Sequence, residues 1–375
     1  MRILYITRKF PPSIGGMQRQ SYEFYNALKE KEEVFLVSWG HSQKFLPFFL
    51  AIAAVKGAYH ILRHKADVVQ VGDMVLAPLG FMFKLFFRRT VFAMSHGKDT
   101  YFNNALYQYC IPGFAKRLDG IICVSDFLKQ VLVSRGLDPG KLFVVNNGMN
   151  AADYTEIRDK IAAVNEIELK YGIDLENKKI ILSVSRLVKR KGLSHFVKNI
   201  FPHIVKGVPD AVLLLAGEDA GRETRKEKDA ITEIAKRLNI DNRVFFLGNI
   251  RDRGLLGRIY SISDVLIMPN IVVKGESEGF GIVALEASVS RVPVIAFSVG
   301  GIPDAVKNGE NGILVKKGDN DGFAQAVERI LIDEKTRMDL GNKAREFVKK
   351  NYDWNVLMNR YVEILKKARG SRRVT

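Results

Sequence analysis

Glu278-Gly279-Phe280-Gly281-Ile282-Val283-Ala284-Leu285-Glu286 decides how this chain is read, because two carboxylates bracket a glycine-flanked turn that opens an apolar helix. The eight steps between the acids span at most roughly 12 Å at helical rise. That is comparable to the reach from the hexose to the ribose of a nucleotide sugar, so one carboxylate can accept bonds from each end. Gly279 and Gly281 remove side chains where a ligand must approach backbone N–H groups. The helix start beyond them, from Phe280 into Ile282, offers unpaired donors and partial positive charge to a diphosphate. A helix start with an acid in front and a satisfied glutamate inside is the bland alternative for these nine residues alone.

Working outward, other short segments fall in a definite order. Pro11-Pro12-Ser13-Ile14-Gly15-Gly16 follows the first apolar run, then come Ser95-His96-Gly97 and Asn146-Asn147-Gly148. The second half carries Ser185-Arg186-Leu187-Val188-Lys189-Arg190-Lys191-Gly192, Leu215-Ala216-Gly217-Glu218, Pro293-Val294-Ile295-Ala296 and Gly300-Gly301-Ile302-Pro303. The ordered set covers nearly the whole chain and resembles the GT-B glycosyltransferases of family 4.

The resemblance implies an α/β protein of two doubly wound Rossmann-like domains facing a central cleft. It also implies transfer of a hexose from a UDP-, GDP- or ADP-linked donor with retention of anomeric configuration. Glu278 resembles the family glutamate that contacts hydroxyls of the donor sugar, and Glu286 the one that binds the ribose. Arg186 and Lys191 match the family's cations, whereas Lys189 and Arg190 do not. A turn after the first strand of the second domain puts such cations over the mouth of the sheet, where open α/β domains bind ligands. There they can neutralise a diphosphate leaving group, so no metal or cofactor is expected. His96 matches the histidine that lies against the donor sugar near the reacting carbon. Gly15 and Gly16 make a tight turn that lets a helix N-terminus approach phosphate. Asp99 is read either as an acceptor contact or as a cap for the helix starting near Tyr101. Glu276 is read as a loop residue, and Ser125 as the cap of a helix.

The alternation of short apolar runs with helical periods through both halves predicts the same architecture from the residues themselves. Strands are expected at 2–6, 33–38, 67–71, 90–95, 120–124 and 142–145, then at 179–184, 211–216, 243–247, 264–268, 293–297 and 312–315. Two domains follow, over 1–155 and 156–351; the resemblance makes the first acceptor-binding and the second nucleotide-sugar-binding, and sends a last helix over 352–368 back onto the first. At 375 residues two domains are expected on size alone.

Hydrophobic content of 47% with 26% charged residues describes a folded chain, which excludes a disordered one. Two cysteines, Cys110 and Cys123, are too few for a disulfide framework, so a reducing cytoplasm is expected. The net charge of +17 is spread over both halves and calls for anionic partners. The basic tail at Arg369-Gly370-Ser371-Arg372-Arg373 is expected to fray.

The apolar stretch Phe45–Val55 is about eleven residues, short of the roughly twenty that span a bilayer. With Lys44 and Lys56 at its ends, and Phe81–Phe87 running into Arg88 and Arg89, it reads either as an interfacial helix on the inner face of the cell membrane or as a core helix with solvated lysines. The segment Met268–Gly281 resembles that of members transferring mannose or glucose to lipids, which favours a glycolipid or envelope glycan acceptor. Competing readings are another GT-B reaction, such as nucleotide-sugar epimerisation or glycan phosphorolysis, and a basic nucleic-acid-binding protein. The last leaves the glycine turns unexplained and lacks an aromatic stacking motif or zinc pattern.

Overall fold

The structure is a computed structural model. It describes residues 1–13, 15–97, 105–151, 154, 159–217 and 221–371. The chain divides into two compact units, one of Met1–Gly148 with Tyr352–Thr375 and the other of Met149–Asn351.

In the first unit the elements run β1 (Arg2–Thr7), α1 (Gly16–Lys29), β2 (Glu33–Ser38), α2 (Leu46–Arg63), β3 (Val68–Val71), α3 (Ala77–Phe87), β4 (Thr90–Ser95), α4 (Ala105–Ala115), β5 (Gly120–Cys123), α5 (Asp126–Ser134) and β6 (Leu142–Val144). The strands form one parallel sheet in the order β2-β1-β3-β4-β5-β6. Both faces are covered, which is why β1, β3, β4 and β5 read as nearly unbroken apolar runs. Ser125 accepts from the Leu128 N–H and caps α5 as expected.

The second unit contains α6 (Lys160–Tyr171), β7 (Lys179–Val184), α7 (Leu193–Asn199), α8 (Phe201–Gly207), β8 (Ala211–Ala216), α9 (Arg222–Arg237), β9 (Val244–Gly248), α10 (Arg253–Ile262) and β10 (Val265–Met268). It continues through α11 (Ile282–Val289), β11 (Val294–Phe297), α12 (Ile302–Ala305), β12 (Gly312–Val315), α13 (Asn320–Ile332) and α14 (Glu334–Tyr352). Its parallel sheet has the order β12-β11-β10-β7-β8-β9. The core centres on Phe196, Phe201, Phe297 and Phe323, with the last two rings 4.6 Å apart.

The last helix, α15 (Trp354–Ser371), packs into the core of the first unit. The Tyr361 ring lies edge-on to Phe24 at 5.1 Å, and its hydroxyl donates to Gln70 Oε1 at 2.6 Å. A Cβ on Gly148 would sit 2.4 Å from Trp354 Cδ2, so the Asn-Asn-Gly segment ends in glycine to seat that indole.

Three expectations need correction. The division falls between Gly148 and Met149 instead of after residue 155, because Gly148 belongs under Trp354. The apolar stretch ending at Val55 is part of an 18-residue helix, α2, with mean hydropathy 1.2, which is long and apolar enough by length and composition to cross a membrane. Lys56 and Gly57 read as its end, yet Gly57 faces the Phe83 ring and Lys56 points outward, so helical periodicity runs straight through them. The tail is helical as far as Ser371 and Arg369 pairs with Asp67 at 3.3 Å, while Arg372 and Arg373 lie outside the described residues.

Candidate active site

In the second unit the chain leaves β7 toward β8 on one side and returns at β10 on the other. The loops at the carboxyl ends of β7 and β10 therefore part in opposite directions and leave a crevice, the ordinary ligand position in a doubly wound sheet. It is lined by Ser183, Ser185, Lys191, Met268, Asn270 and Val283. The two loops press together because residue 192 is glycine: its φ is +70°, and a Cβ there would come within 2.0 Å of the Pro269 carbonyl oxygen. Next to it the Ile271 N–H donates to Arg190 O at 3.0 Å.

Glu278 lies at the centre of this loop pair. Its Oε2 accepts from Lys191 Nζ at 2.5 Å, from Arg190 Nη1 at 2.7 Å and from Asn270 Nδ2 at 3.2 Å. Burial pushes the Glu278 carboxyl up, but the Lys191 ammonium and the Arg190 guanidinium outweigh it and hold the pKa at about 2. Lys191 moves the other way from its usual partner: burial lowers its pKa, Glu278 only partly restores it, and the charges of Arg190 and Arg186 lower it further. Beyond burial, the buried Arg190 and the half-buried Lys191 share one half-buried carboxylate, so the anion is over-neutralised and the lysine under-neutralised. Glu276 sits at the edge, 3.6 Å from Arg190 Nε and half exposed.

The glycine turn that follows is fixed by another loop. Gly301 N–H donates to Glu278 O at 2.9 Å. Gly300, at φ +59°, permits that approach, since a Cβ would meet Glu278 O at 2.7 Å. Gly281 caps α11 in a left-handed conformation at φ +96°, and Phe280 is buried behind the turn. The N–H groups at the start of α11, from Ile282 on, give that end its positive potential. Glu286, one turn into α11, is buried and accepts from the Tyr260 hydroxyl at 3.0 Å.

The first unit has its own topological switch, between β1 and β3. Gly15 precedes α1 with φ 150°, and around Gly16 an added Cβ would meet nothing within 4 Å. At the neighbouring strand ends Arg8 Nε lies 2.7 Å from Asp73 Oδ2. His96, half-buried after β4, has Nε2 3.0 Å from the Gly72 carbonyl oxygen, which puts the ring proton on that nitrogen. Asp99 and Glu218 lie outside the described residues. Among the described residues no group of three or more His, Cys, Asp or Glu side chains comes together to hold a metal ion.

The sequence model of the glycosyl transferases group 1 matches residues 166–347, and that of glycosyltransferase family 4 matches residues 14–153. The chain belongs to the family 4 glycosyltransferases. A GDP-mannose-dependent alpha-(1-6)-phosphatidylinositol monomannoside mannosyltransferase of Mycobacterium tuberculosis is 26% identical over 97% of this chain and 98% of its own. An N-acetyl-alpha-D-glucosaminyl L-malate synthase of Bacillus anthracis is 32% identical over 54% of this chain and 48% of its own. The Anabaena protein Alr3699/HepE, crystallised with UDP, superposes with a TM-score of 0.79 over 98% of this chain and 100% of its own, at 19% identity. That likeness establishes the GT-B fold of this family 4 enzyme, a hexosyltransferase.

For the glycosyltransferase, the structure puts Lys191 in the crevice and Glu278 in contact with it, with Arg186 close enough for its charge to act on Lys191. Three side chains at the site carry no family match. Arg190 does not match the family motif, yet it is buried against Glu278. Its place directly before Lys191 was the available signal. Asn270 and Tyr260 carry no local signal, since their partners lie 8 and 26 residues away across loops.

Proposed function

We propose that the enzyme transfers a mannose- or glucose-type hexose from a nucleotide diphosphate sugar to a lipid-linked or envelope glycan acceptor at the cytoplasmic membrane face, retaining the α configuration. The observation that carries the reading is the half-buried, ionised Glu278 ringed by Lys191, Arg190 and Asn270 beside the N-terminus of α11. This cluster has an excess positive charge. A donor diphosphate can draw the Lys191 ammonium from Glu278 while Arg190 stays, leaving Glu278 to accept from sugar hydroxyls. Glu286, kept in place by Tyr260, accepts from the ribose.

In the proposed reaction the bond between the anomeric carbon and the phosphate oxygen breaks, and the acceptor hydroxyl attacks from the same face. The departing phosphate takes the acceptor's proton. Arg186, Lys191 and the amides of the Gly279–Gly281 turn stabilise the leaving charge, the role a divalent cation plays elsewhere, so we propose a reaction without metal or cofactor. GDP-mannose is the first donor to test, because the Mycobacterium tuberculosis mannosyltransferase, which matches this chain from end to end, uses it by name.

The test is a thermal-shift panel of UDP, GDP, ADP and their hexose conjugates, since a ligand that binds only the folded state raises the midpoint by mass action. One base should stabilise the protein selectively, and Glu286→Ala should abolish that shift. No shift with any nucleotide at saturating concentration would remove the donor reading. NMR of the product, with and without a chelator, then checks the α-anomer and the metal independence.

A further inference from the structure

The second helix of the first unit has two apolar faces, only one of which the protein uses. Phe49, Ala53, Gly57 and Ile61, spaced four apart, are buried. On the opposite side Phe48, Val55, Tyr59 and Leu62 are 63, 72, 56 and 67% exposed, and Phe45 just ahead of the helix is 60% exposed. Positions 48, 55, 59 and 62 recur at helical spacing and form one continuous stripe. At 1.5 Å per residue the stripe from Phe48 to Leu62 runs along roughly 21 Å of surface.

Neighbouring α3 adds exposed apolar residues on the same face of the sheet. Right-handed crossovers from β2 to β3 and from β3 to β4 move the same way across the sheet, so α2 and α3 cover the same face. They touch at Gly57, where a Cβ would come within 2.4 Å of Phe83 Cζ. Beyond that contact α3 exposes Leu85 and Phe86, the latter at 72%. An exposed apolar stripe of this length marks a binding face.

Charge decides what covers it. Lys44, Lys56, Arg63, Lys65 and Arg88 are all exposed around the stripe. From residue 41 to residue 66, and through the whole of α3, there is no acidic residue. The first acid after α2, Asp67, is engaged by the Arg2 N–H and by Arg369. The second unit offers a contrast: α6 also exposes Ile161 and Leu169, but Glu166 and Glu168 share that helix. An apolar stripe with cations alone at its rim fits a bilayer with anionic headgroups, where rings enter the acyl boundary and lysines stay among phosphates.

We infer that the α2–α3 face is a membrane-docking surface that seats the first unit on an anionic lipid bilayer. It deepens the proposed function, resting on it for the membrane-borne acceptor. The contact is in the plane of the membrane, because the buried face of α2 keeps the helix on its own unit.

The experiment is co-sedimentation of the full chain with vesicles of equal parts phosphatidylglycerol and phosphatidylcholine, without donor or acceptor, against vesicles of phosphatidylcholine alone. Binding should favour the anionic vesicles by at least about tenfold and weaken as salt rises. Phe48→Ser with Tyr59→Ser should cut it by about tenfold or more. Lys44→Gln with Lys56→Gln, which touches no apolar packing, should cost roughly fivefold per charge. Each variant must keep the wild-type melting temperature and nucleotide-induced shift. Those controls separate loss of docking from loss of folding, and a protein that docks but shows no nucleotide shift would sink the donor reading alone. Equal binding to neutral vesicles, no vesicle binding, or a concentration-dependent dimer abolished by the serine variants would overturn the inference.

Discussion

Replacing Arg190 with methionine removes one of the two cations on Glu278 while keeping most of the side chain's volume. The lost contact is a charge-assisted hydrogen bond of 2.7 Å between a buried guanidinium and a half-buried carboxylate. Such bonds contribute about 1.5–3 kcal/mol, and stripping a buried ion of its last partner costs about 3–5 kcal/mol. Here Lys191 at 2.5 Å and Asn270 at 3.2 Å remain. Removing Arg190 also relieves its repulsion of Lys191. The lower range therefore applies, and we expect about 2 kcal/mol. The direction is that of the depressed Glu278 pKa, where holding the carboxyl at about 2 instead of 4.5 corresponds to about 3 kcal/mol from Lys191 and Arg190 together, net of burial. For a unit the size of the second one this lowers its melting temperature by about 4–8 °C.

The pH dependence has a definite sign. A carboxylate whose folded pKa is depressed contributes stability that is complete above its unfolded value of 4.5 and is lost as pH falls toward about 2. Losing Arg190 raises the folded pKa, so the remaining contribution disappears at higher pH and the gap between variant and wild type persists near neutrality. Calorimetric melts of Arg190→Met, with exposed Lys189→Met as control, read both effects. If the two variants melt within about 1 °C of each other near pH 7, Arg190 is not holding Glu278 and the argument fails.

Glu278→Gln keeps shape but loses the ionised acceptor, and should lower kcat/KM by about 10- to 100-fold, read in steady-state kinetics with the preferred donor; full turnover would remove Glu278 from the mechanism. Gly192→Ala places a Cβ 2.0 Å from Pro269 O at a φ of +70°, so it should cost about 3 kcal/mol or more or prevent soluble expression, whereas Gly16→Ala meets open space and should leave the melting temperature within about 1 °C. Trp354→Ala empties the indole site between Gly148 and Phe24 and should destabilise the first unit by about 3–5 kcal/mol, seen as a lower first transition in calorimetry.

Much of the fold was written in contiguous residues. The strands at 33–38, 90–95, 179–184, 211–216 and 312–315 fall on their expected bounds; at 90–95, 179–184 and 211–216 the strand is a central one, largely buried, and reads as a nearly unbroken apolar run. Glu278, Gly281, Glu286, Gly192 and Lys191 were visible for a similar reason: turns and helix starts are set by residues a few positions apart. Membership of α2 in a longer helix was obscured by Lys56 and Gly57, whose roles depend on what stands opposite them, solvent for one and Phe83 for the other.

Tertiary structure alone decided the partners. Arg190 and Lys191 lie 88 and 87 residues from Glu278, and they meet because β10 inserts beside β7 in the sheet. Tyr260 reaches Glu286 from another helix, and Trp354 closes on Gly148 from the far end of the chain. Local sequence specifies which backbone shapes and charges are available. Which of them touch depends on strand order, and with it whether a half-buried carboxylate is neutralised by one cation or two.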